Sequence, residues 1–199
     1  MGNAMMNNLS NLVLATAFLA VSTGAQAGLQ EGIADYDKGQ YQAAAKEIGP
    51  LAAKGDTAAQ LYLGKMYMQG QGAFKSDYAK AISWTRKAAN RKNAEAQYFL
   101  GFLYYYGMGT PQNYTEALLW YRKAAEHGNA GAQASLGSMF AYGQGVPQDM
   151  VLAYKWFKLA AALGEADAAV KLKAVEDNMT PLQIKEAEAL AQKWLEKRK

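Results

Sequence analysis

Aromatic and methionine side chains recur at helical spacing through the middle of this chain, and they have the most to offer a ligand. One row runs Leu61, Lys65 and Met68, then Tyr98, Phe102 and Tyr105, then Ala134, Ser138 and Ala141; a second starts at Tyr62, Phe99 and Ser135 and ends in Gln69, Tyr106 and Tyr142. Steps of three and four residues put such positions on one side of a helix. Their chemistry is recognition: tyrosine and methionine bury apolar area, and tyrosine adds a polar handle. We expect a groove lined by Leu61, Lys65, Met68, Tyr98, Phe102, Tyr105, Tyr106, Ser138 and Tyr142, with a partner protein or peptide as its occupant. The alternative at each of these positions is packing between neighbouring elements.

Catalytic chemistry has less to stand on. His127, the one histidine, lies beside Gly128 where a helix should end, and reads as a cap on the last carbonyls. Asp35 with Asp37, and Asp77 with Glu95, read as caps and solvated faces. No H-E-x-x-H, nucleophile elbow, phosphate loop or S-x-x-K occurs. The chain has no cysteine, which excludes a disulfide framework, a thiolate zinc site, an iron–sulfur cluster and a thiol nucleophile. No catalytic, cofactor or metal site is expected.

The elements that must position the groove residues are internal repeats. Residues 59–72 read AQLYLGKMYMQGQG, residues 96–109 AQYFLGFLYYYGMG and residues 132–145 AQASLGSMFAYGQG. Gln60, Gln97 and Gln133 align, as do Gly64, Gly101 and Gly137, then Gly70, Gly107 and Gly143. A second segment follows each block, with Trp84, Trp120 and Trp156 spaced by 36 and an Ala-Ala pair four residues on. The glycines are spaced by 37 and then 36, so one residue is inserted between Gly72 and Asp77.

Each repeat reads as two helices. In the first, Leu63, Met66 and Tyr67 fall at core-facing steps. Its internal glycine costs about 1 kcal/mol against alanine, so its recurrence argues for a close neighbour at that point. Gly70 and Gly72 end the helix through the positive φ that glycine accepts. Asp77, Asn113 and Asp149 are placed to cap the second helix, and Asn113 with Glu116 makes a capping-box pattern. Ala81, Trp84 and Ala88 then form a small-large-small stripe; Gly128 or Gly164 stops the helix, and Asn129 or Glu165 starts the next unit. Such short connections force antiparallel neighbours.

The pattern A-x-x-x-L-G-x-x-Y-x-x-G-x-G, a short loop, then A-x-x-W and K-A-A resembles the Sel-one-like repeat, a relative of the tetratricopeptide repeat. Three copies run over 58–93, 94–129 and 130–165; Lys92 stands where the other copies have glycine, and Phe140 replaces the tyrosine. The resemblance implies an all-α, right-handed α/α superhelical solenoid in which the first helices line a concave groove. A degenerate repeat is expected over 28–57, where Leu29 to Asp37 supplies a short first helix, Gly39 the turn, and Tyr41, Ala44, Leu51, Ala52 and Gly55 match the second. Capping helices are expected over 166–199, with Thr180-Pro181 as an N-terminal cap and Leu182, Leu190 and Trp194 on one side of the last.

Residues 1–27 contain no charged side chain, and Leu9 to Val21 is apolar over a length short of the roughly 20 residues a spanning helix needs. Ala25-Gln26-Ala27 supplies small residues where a signal peptidase inspects, so cleavage before Gly28 is expected. A periplasmic or secreted protein follows, with no stable membrane span after cleavage. The formal charge of +4 is modest, and Lys193, Lys197, Arg198 and Lys199 gather at the C-terminus instead of forming a stripe, so nucleic acid is not an expected partner. The resemblance implies a bacterial envelope adaptor that binds protein. The competing class is a cell-wall glycan-binding module or a β-lactamase-like or peptidoglycan-hydrolysing enzyme, with tyrosines stacked on sugar rings.

Overall fold

A computed structural model describes residues 26–198, and the expected leader lies outside them except for its last two residues. The described residues contain helices and turns and no strand. Residues 26–37 form α1. It is followed by α2 (Tyr41–Ala53), α3 (Thr57–Gln69), α4 (Tyr78–Asn90), α5 (Ala94–Tyr106), α6 (Tyr114–Glu126), α7 (Ala130–Tyr142), α8 (Met150–Ala162), α9 (Ala168–Glu176) and α10 (Pro181–Glu196). The chain divides into two compact units, one ending at Asp77 and one beginning at Tyr78.

The helices α3 to α8 are 13 residues each because their ends are written into the sequence. Asp56, Asn93 and Asn129 each accept a hydrogen bond from the backbone N–H three residues on, at 2.8 Å. Asn113 and Asp149 do the same for α6 and α8 at 3.0 and 2.9 Å. Each such cap is worth about 1 kcal/mol. The other end of α3, α5 and α7 is a left-handed glycine: Gly70, Gly107 and Gly143 have φ of 68°, 68° and 67°.

In the first unit, Ala44, Ile48 and Ala52 make the buried face of α2, which packs on α3. The amide of Gln60 donates to Ala52 O at 3.2 Å. Tyr36 sits edge-on to Tyr41 and Tyr62 and donates to Gln69 Oε1 at 3.1 Å.

In the second unit each helix from α4 to α8 packs on the next, and α10 returns onto α8. The expected alanine stripe is the inner face of the second helices: Ala81, Ala88, Ala117, Ala124, Ala153 and Ala160 are fully buried. Gln97 and Gln133 donate to Ala89 O and Ala125 O at 3.1 and 3.5 Å. The close neighbour demanded by the helical glycines is an aromatic ring. A Cβ on Gly101 would lie 2.6 Å from Tyr121 Cδ1, and one on Gly137 2.7 Å from Phe157 Cδ1.

Three local expectations are corrected. The capping box at Asn113 does not close: the Asn113 N–H donates to Tyr104 O at 2.9 Å, and Glu116 Oε2 accepts the Trp120 indole N–H at 3.2 Å; a closed box forms at Thr180 with Gln183. Glu165 does not start a helix: α9 begins at Ala168. Leu182 is 76% exposed, since the packed side of α10 is set by Ala187 and Ala191, with Trp194 edge-on to Trp156.

Candidate interaction groove

Successive turns of α5 carry Tyr98, Phe102, Tyr105 and Tyr106 to one wall of an open pocket of about 210 Å³. Tyr121 of α6 closes its floor, Gly131, Ala134, Ser135 and Ser138 of α7 form the facing wall, and Glu165 and Lys171 enter from beyond α8. Gly131 leaves room for a phenol: a Cβ there would lie 3.1 Å from Tyr98 Cζ. The rings support one another, with centroids 5.7 Å apart for Tyr98–Tyr121, 4.6 Å for Phe102–Tyr106 and 4.9 Å for Tyr105–Tyr106. These are tilted and edge-on geometries, which suit the quadrupole of the ring. The Tyr105 hydroxyl donates to Gln144 Oε1 at 2.8 Å, which ties α5 to the loop after α7.

The phenols keep their protons. Burial pushes Tyr98 above the ordinary tyrosine value, and the Glu165 carboxylate pushes the same way. Burial also raises Tyr105 and, most strongly, Tyr121. Ser135 pulls Tyr98 and Tyr121 the other way, by less than burial raises them.

A second pocket, about 260 Å³, adjoins the first and shares Ser138 and Lys171 with it. Ala141, Tyr142, Met150, Phe157 and Val175 make it the more apolar of the two.

Five of the nine groove residues expected from the sequence, Tyr98, Phe102, Tyr105, Tyr106 and Ser138, meet in the first pocket, and Tyr142 joins Ser138 in the second. Tyr106 and Tyr142 are 59% and 76% exposed. Lys65 and Met68 lie on α3 in the other unit and line neither pocket. Leu61 is a correction: it is 1% exposed and offers no surface. The first position of that row faces a neighbouring helix, as its counterpart Ala134 does in a buried cluster with Ala160 and Ala168.

Tyr121, Glu165 and Lys171 were not anticipated. Tyr121 stands where the next repeat has the buried Phe157, so it reads as core, and Glu165 and Lys171 lie where the repeat pattern gives out. His127 ends α6, its backbone N–H donating to Ala124 O at 3.0 Å. Among the described residues no group of three or more His, Asp or Glu could hold a metal ion. No helix among them is long and apolar enough to cross a membrane.

Capped helix pairs of one length, joined repeat to repeat by the same buried glutamine, define an α/α-repeat solenoid. The Sel1 repeat model matches residues 57–93, 94–129 and 130–165, more than half of the chain, so the chain belongs to the Sel1 repeat family. The chain is similar to the crystal structure of a Sel1 repeat protein from Oxalobacter formigenes, with a TM-score of 0.69 and 32% identity over 73% of this chain and 57% of that one. It is similar also to a protective antigen of uropathogenic Escherichia coli with an SLR fold, with a TM-score of 0.61 and 25% identity over 86% of this chain and 45% of the other. A 63-residue stretch is 40% identical to a chitin synthase regulator of Saccharomyces cerevisiae and spans 31% of this chain and 9% of that protein. The chain thus spans about half the length of the two solved structures and under a tenth of the yeast regulator. Sel1 repeat proteins are generally non-catalytic scaffolds for protein–protein interaction.

Proposed function

We propose that this chain is a non-catalytic adaptor or regulator of the bacterial envelope, which seats a partner protein or peptide in the tyrosine-lined pockets of its second unit. One observation carries the reading: the residues that hold the helices together repeat, whereas the aromatic residues around the first pocket do not. Tyr98, Phe102 and Tyr105 have Ala134, Ser138 and Ala141 as counterparts in the following repeat. Packing alone does not ask for that change, and a surface that recognises something does. Two adjoining pockets that share a wall suit an extended segment better than a compact solute. The uncharged apolar stretch from Leu9 to Val21, with Ala25-Gln26-Ala27 behind it, supports export to the periplasm or medium.

Affinity capture from the native envelope tests the reading, with wild type beside Tyr106→Glu/Tyr142→Glu. Both side chains are exposed, so the variant keeps its core. A protein retained by wild type and lost by the variant is the expected result; an unchanged set of retained proteins removes the groove from the account. Mass spectrometry of the exported chain should find Gly28 at its N-terminus. The glycan reading draws on the same tyrosines, since sugar rings also stack on them. Retention on peptidoglycan without turnover, abolished by the same variant, would favour it.

A further inference from the structure

The tryptophans of the second unit are each covered by one of the chain's own cations. Lys87 lies over Trp84 at 3.7 Å, Lys123 over Trp120 at 4.1 Å and Lys155 over Trp156 at 4.3 Å, and the Arg198 guanidinium lies over Trp194 at 4.5 Å. The five rings of the first pocket are different. Among the described residues none of Tyr98, Phe102, Tyr105, Tyr106 and Tyr121 has a cation of this chain over it.

Three hydroxyls of the pocket donate their hydrogens internally. Ser135 donates to Gly131 O at 2.8 Å, Ser138 to Ala134 O at 3.2 Å and Tyr105 to Gln144. Ring faces line the space, and with them stands the Glu165 carboxylate, which makes no ion pair among the described residues. Lys171 stands on the wall shared with the second pocket.

We infer that the first pocket is a cation cage, which takes an arginine or lysine side chain of the partner between the α5 tyrosines and Glu165. This deepens the groove reading and rests on it. A guanidinium brings five donors to the Glu165 carboxylate, and it stacks on tyrosine faces. At about 210 Å³ the space falls below the ~300–1,000 Å³ of sites for drug-sized ligands, which suits a single side chain.

The test uses four blocked tripeptides, acetyl-Ala-X-Ala-amide with X as Arg, Lys, Leu or Glu, titrated into the purified chain while its tyrosine ring resonances are followed by NMR. The Arg and Lys peptides should bind at least fivefold more tightly than the Leu and Glu peptides. Glu165→Gln should weaken the Arg peptide at least fivefold without changing the melting temperature, and Lys171→Gln should strengthen it. Equal binding of the Leu peptide, no binding of any peptide, indifference to Glu165→Gln or weakening by Lys171→Gln would each overturn the cage. Its failure is separable from that of the groove. If envelope capture is lost in Tyr106→Glu/Tyr142→Glu while the peptides show no charge preference, the cage alone falls. If capture persists in that variant while Arg binds as described, the groove reading falls and the cation site stands.

Discussion

Gly101 lies directly beneath the ring of Tyr121, so close that a Cβ on the glycine would come within 2.6 Å of Cδ1 and 2.8 Å of Cε1. The same ring is the floor of the first pocket. Gly101→Ala therefore sets two effects against each other. Helix propensity favours alanine by about 1 kcal/mol, and overpacking a filled interior costs about 1–3 kcal/mol. Tyr121 is 3% exposed, so it has nowhere to swing, and the clash should win. The expected outcome is a melting temperature lowered by several degrees, at about 2–4 °C per kcal/mol for a chain of this size, with weakened ligand binding at the pocket. A raised melting temperature in circular dichroism would show that the ring yields freely.

Lys92 occupies the turn between α4 and α5 with φ of 63°, the one positive φ outside glycine among the described residues. Gly128 and Gly164 hold the same place in the next two repeats at 82° and 84°. A left-handed conformation costs an L-residue about 1–2 kcal/mol, part of which is returned because glycine loses more entropy on folding. Lys92→Gly should stabilise the chain by about 0.5–1 kcal/mol, read as a higher urea midpoint with unchanged slope. A lower midpoint would mean that the lysine side chain contributes more than its backbone costs.

The buried phenols predict alkaline instability. Burial raises Tyr98, Tyr105 and Tyr121 above the ordinary value of about 10, so above that pH the unfolded chain releases protons that the folded chain keeps. Their contribution is complete below pH ~10 and is lost as pH climbs toward the folded values. Melting temperatures followed from pH 8 to 11 should hold and then fall, and Tyr121→Phe should make the fall shallower. An identical slope in that variant would place the alkaline loss elsewhere.

The ends of the helices were legible because they are local. Asn93, Asn113, Asn129 and Asp149 sit where a cap is needed, and Gly107 or Gly143 where the chain must turn left-handed. What one side chain does when two partners compete was not. Glu116 has the spacing of a capping box and the reach of an i,i+4 bond to Trp120, and the indole prevails. The groove was half legible for a related reason. Periodicity puts Leu61, Tyr98 and Ala134 in one register, but whether that register meets solvent depends on side-chain length. Leu61 stops inside at 1% exposure, whereas Tyr98 lines the pocket and Ala134, at 7% exposure, contributes to its facing wall. Glu165 is the last residue of the third repeat and Lys171 comes from the helix after it, and no spacing rule connects them to α5.

The glutamine bonds have a consequence for how such a chain changes length. Gln60, Gln97 and Gln133 each reach back eight residues to a carbonyl in the last turn of the preceding helix, so the fastening between repeats is encoded within a dozen residues and is the same wherever it occurs. An in-frame duplication or loss of one whole repeat would leave every remaining fastening with its own donor and acceptor. Evolution can therefore lengthen or shorten the array without inventing an interface, and only the residues around the pocket need to be written anew.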